Sequence, residues 1–123
     1  MSSQPIRILL VEDNPGDVRL FREYLAEEGS AAFEIEQVDR LQSALSHLTA
    51  GEYDVMLLDL SLPDSHGLDT VRTVHTAAPN VPIVVLTGHD DERQAVRSVQ
   101  EGAQDYLVKG RVDGNLLARS MRR

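Results

Sequence analysis

Three carboxylates, one hydroxyl and one ammonium stand out in this chain because each closes or directly follows an apolar run. Glu12 and Asp13 follow Ile6 to Val11 (IRILLV), and Asp59 follows Val55 to Leu58 (VMLL). Thr87 closes PIVVLT, and Lys109 closes DYLVK. The continuous run before Asp59, bounded by turn residues, reads as a strand buried on both faces of a parallel sheet; IRILLV is nearly continuous, PIVVLT reads as a further buried strand, and DYLVK as a fifth strand. Each of these polar residues then stands where a strand leaves the sheet. In open α/β sheets the ligand crevice lies outside that carboxyl edge, at the point where strand order reverses. A carboxylate there reads as a site residue; the blander alternative for Asp59 is a cap on the turn made by Pro63, Asp64 and Gly67.

Three carboxylates sharing one crevice repel one another. At about 5 Å and an effective dielectric near 20, each pair costs roughly 3 kcal/mol. They must protonate, stay well hydrated or recruit a cation. A hard divalent ion answers the problem, and Mg²⁺ accepts one or two carboxylates, backbone oxygen and several waters. Lys109 is the only Lys beside eleven Arg, which fits a site needing a compact point charge. Carboxylates, metal, hydroxyl and ammonium around one crevice suit phosphoryl chemistry. Cations neutralise the equatorial oxygens, the hydroxyl donates a hydrogen bond, and one carboxylate attacks in line. Asp59 is the central candidate nucleophile, because its neighbours can fill the remaining roles.

The elements that must position these groups alternate along the chain. After the first strand, Asn14 reads as a helix N-cap, with Pro15 at the first helical position and Asp17 adding charge to the first turn. Asp17 is thus read as a helix-start residue rather than a metal ligand. Val18, Phe21 and Leu25 recur at helical spacing, and Gly29 supplies the stop. Phe33 to Glu36 alternates apolar and polar, as an edge strand does. Leu41, Leu45 and Leu48 mark a second helix; Leu68, Val71 and Val74 a third, ended by Pro79. Ala95, Val96 and Val99 form the expected inner face of a fourth helix starting at Asp90–Asp91. A last helix over Asn115 to Arg123 shows Leu116, Leu117 and Met121. Five β–α units predict a doubly wound, five-stranded parallel α/β sheet, flavodoxin-like, in the order 2-1-3-4-5 with helices on both faces. Glu12, Asp13 and Asp59 meet at its switch point.

The 123 residues suit one domain, and their 41% hydrophobic content is a globular proportion. No apolar run approaches the roughly 20 residues of a membrane span, and MSSQPIR lacks a signal-peptide pattern. The chain has no Cys, which excludes disulfides and thiolate metal sites, and a cytoplasmic protein is the simplest expectation. Net charge is −8, divided as −9 over residues 1–84 and +1 over 85–123. Without a basic footprint, direct nucleic-acid binding is not expected. The Arg-bearing final third better suits a protein partner, although Arg119, Arg122 and Arg123 could simply favour a helix C-terminus. His47, His66 and His75 lack ligand spacing and read as surface residues. His89 either gates the site beside Thr87 or faces solvent.

With these residues in place, the chain resembles a bacterial two-component response-regulator receiver domain, similar in fold to the chemotaxis receiver. The resemblance covers Ile6 to Arg123. It rests on Glu12-Asp13, Asp59 within LLDLSLPDSHG, Thr87-Gly88, Tyr106 and Lys109, in order at the strand ends. It implies that Asp59 accepts phosphate from a sensor histidine kinase or phosphotransfer protein. Asp13, Asp59 and the Ser61 backbone carbonyl would bind Mg²⁺, with Glu12 acting through water. Thr87 and Lys109 would hold the phosphoryl group, and the Tyr106 rotamer would follow Thr87. Ser61 and His89 occupy the positions that tune phosphate lifetime in the family. Such a module promotes its own phosphorylation and dephosphorylation without turning over an external substrate, so it is not an enzyme in the ordinary sense. The rival reading is a catalytically silent interaction module of the same fold.

One departure is visible. The family usually places Pro after the site Lys, often with a cis peptide, whereas Gly110 follows Lys109 here. The expected output face is built from the fourth helix, fifth strand and fifth helix, and it would contact partners or pair two receivers. The final helix is short for closing such a fold, so residues 1–123 are expected to be a receiver domain that can begin a longer chain, with any output domain beyond Arg123.

Overall fold

The computed structural model describes residues 4–29 and 32–121. Strand β1 (Ile6–Val11) leads to α1 (Pro15–Glu27), and β2 (Phe33–Val38) to α2 (Leu41–Ala50). Strand β3 (Val55–Asp59) is followed by a small hairpin, β4 (Ser61–Leu62) and β5 (Ser65–His66), and then by α3 (Leu68–Ala77). Strand β6 (Ile83–Thr87), α4 (Glu92–Gln100), β7 (Asp105–Val108) and α5 (Gly114–Met121) complete the described fold.

The five long strands form a parallel sheet in the order β2-β1-β3-β6-β7. This is the expected 2-1-3-4-5 order, since β4 and β5 pair only with each other. That antiparallel hairpin is an addition to the expected architecture. Strand β2 lies at the edge, where its alternating Glu34 and Glu36 remain exposed.

Alternation along the strands divides the core into two layers. Ile8, Leu10, Leu57, Val84 and Leu86 pack with Phe21 and Leu25 of α1 and with Leu117 and Met121 of α5. Leu9, Val11, Met56, Leu58 and Val85 point the other way, toward Ala44, Val71, Val74 and Ala95 of α2, α3 and α4. The four residues Val55 to Leu58, and Ile83 to Leu86, are at most 1% exposed, which explains their unbroken apolar runs.

Two helix faces differ from expectation. On α4, Ala95 and Ser98 are buried, whereas Val96 and Val99 are 47% and 42% exposed. The small Ala–Ser stripe lets this helix lie close to the sheet and turns both valines outward. On α5, Leu117 and Met121 are buried but Leu116 is 37% exposed. The helix begins at Gly114, and its expected end at Arg122 and Arg123 lies outside the described residues.

Caps set the helix starts. Asn14 Oδ1 accepts from the N–H groups of Gly16 and Asp17 at 2.9 and 3.1 Å, a contact typically worth about 1 kcal/mol. Helix α2 takes its cap from afar: Asp64 accepts from the N–H groups of Leu41 and Gln42 at 2.8 and 2.9 Å. Lost hydration pushes the Asp64 carboxyl up, but these two N–H donors and Arg40 bring it below the usual carboxylate range. The cap ties the hairpin turn after β3 to α2.

Candidate functional site: an acidic crevice at the strand ends

Strand register brings the site together. Val11 pairs with Leu58, so Glu12 and Asp59 emerge side by side from neighbouring strands. Asp59 pairs with Leu86 and Thr87 with Val108, which places Thr87 and Lys109 one residue beyond those partners on β6 and β7. The N–H of Lys109 donates to the Thr87 carbonyl at 2.8 Å and holds the last two strand ends together. The resulting cleft has a volume of about 640 Å³, and Glu12, Asp13, Asp59, Ser61, Thr87 and Lys109 all line it.

Carboxylate oxygens of Glu12, Asp13 and Asp59 lie within 4.8 Å of one another. Three hard oxygen donors converging in this way fit a divalent cation such as Mg²⁺. Glu12 is fully buried, Asp59 is 5% exposed, and Asp13 faces solvent. The Glu12 main chain is anchored to β2, its N–H donating to the Val38 carbonyl and its carbonyl accepting from Gln37 Nε2, both at 3.0 Å. Ser61 places its N–H 3.1 Å from Asp59 Oδ1.

Lys109 reaches across the acids. Its Nζ lies 2.6 Å from Glu12 Oε2, 3.0 Å from Asp17 Oδ2 and 3.3 Å from Asp59 Oδ2. The Glu12 contact is a close ion pair held by charge rather than by a well-directed hydrogen bond. Burial pushes the Glu12 carboxyl up to about 7; Lys109 opposes this and the charge of Asp59 reinforces it. Burial works to lower the Lys109 ammonium, but Glu12, Asp59 and Asp17 together hold it above its ordinary value. Lys109 therefore remains a cation throughout the neutral range.

Thr87 is 2% exposed, and its hydroxyl reaches the Gly88 carbonyl at 3.4 Å. Tyr106 is half-buried against the layer under α4, and its hydroxyl donates to Glu92 Oε2 at 3.5 Å. Glu92 also pairs with Arg111 at 3.1 Å. His89 opens a 3₁₀ turn before α4 (His89–Asp91), and its side chain lies outside the described structure. Gly110 has φ +91°, and the described residues contain no cis peptide bond. The N–H of Arg111 donates to the Val108 carbonyl at 3.0 Å, so Gly110 takes the third position of a tight turn that needs positive φ.

Three residues take places the sequence reading did not give them. Asp17 does begin α1, but its side chain also engages Lys109. The capped first turn of α1, aimed at the crevice from the end of β1, was the available signal. His66 is exposed yet lines the cleft, carried there by the unexpected hairpin. His47 is half-buried, with Nδ1 2.9 Å from the Ser43 carbonyl.

The family model for the response regulator receiver domain matches residues 8–120. The chain belongs to that family. It is 38% identical over 104 residues to the swarming motility regulation protein RssB of Serratia marcescens, covering 85% of this chain and 46% of RssB. It is 32% identical over 114 residues to the cell cycle transcriptional regulator CtrA of Caulobacter vibrioides, covering 93% of this chain and 48% of CtrA. The chain thus spans about half the length of these two relatives. Among solved structures, a response regulator receiver domain protein from Clostridium thermocellum matches with TM-score 0.81 and 25% identity, covering 95% of this chain and 91% of that one. A sensor protein from Polaromonas sp. JS666 matches with TM-score 0.80 and 30% identity, covering 98% and 95%. This receiver domain is a phosphorylation-dependent signalling switch of the two-component class. None of its described helices is long and apolar enough to cross a membrane.

Proposed function

We propose that Asp59 is the phosphoacceptor of this receiver domain, and that a sensor histidine kinase or phosphotransfer protein supplies the phosphoryl group. The observation that carries this reading is the placement of Asp59, buried at the end of β3 and 3.3 Å from the chain's only lysine, beside Glu12 and Asp13. An Asp59 carboxylate oxygen attacks the phosphorus of a partner phosphohistidine. The P–O bond forms as the P–N bond breaks, and the departing imidazole nitrogen keeps the electron pair and takes up a proton. Lys109 and Thr87 donate hydrogen bonds to the transferred oxygens. Glu12, Asp13, Asp59 and the Ser61 backbone carbonyl would hold Mg²⁺, which when bound supplies positive charge toward the phosphoryl oxygens. Water later releases inorganic phosphate and restores the Asp59 carboxylate, and Ser61 and His89 are the proposed tuners of that lifetime. No external substrate is turned over.

Output passes through Thr87 and Tyr106. A phosphoryl group on Asp59 draws the Thr87 hydroxyl away from Gly88, and Tyr106 shifts from its contact with Glu92. The face of α4, β7 and α5 then changes shape, and it either contacts a partner or pairs two receivers. The exposed Val96, Val99 and Leu116 support a binding role for this face. In this reading residues 1–123 form a single receiver domain.

Acetyl phosphate with Mg²⁺ tests the assignment. One alkali-labile phosphoryl group per chain is expected in the parent protein and none in Asp59→Asn. Equal labelling of the two proteins would overturn it.

A further inference from the structure

Lys109 is held by a carboxylate that phosphoryl transfer does not use. Its three ammonium donors face three acids: Glu12 at 2.6 Å, Asp17 at 3.0 Å and Asp59 at 3.3 Å. Two of these acids change character during the reaction. Asp59 loses its carboxylate charge on becoming an acyl phosphate, and Glu12 belongs to the donor set that faces the cation. Asp17 forms no bond in the transfer and is outside that donor set. It is also carried by a fixed element, since Asn14 caps the first turn of α1 and Phe21 and Leu25 bury that helix against the sheet. Lys109 instead sits on a flexible four-carbon stem and must reach the new phosphoryl oxygens.

We propose that Asp17 is a positioning residue that restrains Lys109 in the unphosphorylated domain and competes with phosphoryl oxygens for its ammonium. The inference rests on the reading of Asp59 as phosphoacceptor and adds a control on how tightly the phosphorylated state is held. Two effects share one sign. Asp17 withholds a donor from the phosphoryl group, and its charge repels an anionic one entering the same cleft. Removing the charge therefore strengthens phosphoryl binding. A helix-start role alone predicts otherwise, because losing an acid from the first turn of α1 loosens that helix and gives the phosphoryl group nothing.

The single lysine makes the test specific, since ¹⁵N-lysine labelling reports Lys109 Nζ without competing side-chain signals. Beryllofluoride, a phosphoryl mimic, is titrated with Mg²⁺ into the parent protein, Asp17→Asn and Asp17→Glu. Asp17→Asn should bind about 2–5-fold tighter, the gain expected from releasing one partly exposed ion pair. Its Lys109 Nζ signal should also move further on binding than in the parent. Asp17→Glu, which restores the charge, should match the parent. Unchanged or weaker binding by Asp17→Asn, or Asp17→Glu behaving as Asp17→Asn, overturns the inference. Beryllofluoride that fails to bind the parent protein overturns the phosphoacceptor reading and this inference together. If the parent binds and Asp59→Asn does not, that reading stands and the Asp17 variants decide the second point alone.

Discussion

Glu12 and Lys109 show how burial and charge share one site. A fully buried carboxylate is costly unless paired, and Lys109 at 2.6 Å supplies the pairing while Asp59 adds repulsion. Asp13 is the most exposed of the three acids and the simplest to remove without disturbing the core. Mg²⁺ should raise the melting temperature of the parent protein by binding its folded form, and Asp13→Ala should lose most of that rise. An equal shift in the two proteins, followed by differential scanning fluorimetry, would sink the metal assignment. Glu12, Asp13, Asp59 and Lys109, gathered in the cleft, stood out in the sequence because each closes or directly follows a strand-like run. Asp17 did not, because the first turn of a helix already explains an acid there. His66 was missed for a different reason: its place depends on a hairpin only two residues long in each strand.

Elements were legible where a hydrophobic period is long and one-sided, and less so where small residues do the packing. The strands β1, β3 and β6 and the start of α1 follow directly from their apolar runs and the Asn14–Pro15 pair. Helix α4 misleads because its inward residues are Ala95 and Ser98, while the conspicuous valines face out. The turn after β7 shows the opposite case, a departure from the family pattern with a plain physical solution. Gly110 closes the Val108–Arg111 turn with φ +91°, a conformation closed to proline, whose ring holds φ near −65°. A methyl group at this position would meet nothing within 4 Å, so Gly110→Ala isolates the conformational cost. The variant should lose about 1–2 kcal/mol of stability in urea unfolding. No loss would mean that the turn readily adopts another conformation.

At the scale of the whole molecule, one amphipathic strand settled most of the topology. Exposed Glu34 and Glu36 send β2 to the edge, and the more buried β1 and β3 then take the centre. That order creates the reversal at which Glu12 and Asp59 meet. The contacts across the proposed output face were not legible in the sequence, because the Tyr106–Glu92–Arg111 chain joins residues far apart along it. A switch needs two states that bind the phosphoryl group differently, so the link between Asp59 and that face is the central claim. Backbone amide NMR of the Mg²⁺-loaded domain, with and without beryllofluoride, measures it most directly. Shifts are expected around Asp59 and onward through Thr87 and Tyr106 into Glu92–Gln100 of α4 and Gly114–Met121 of α5. Shifts confined to the residues lining the acidic cleft, with Tyr106 and both helices unmoved, would contradict that claim.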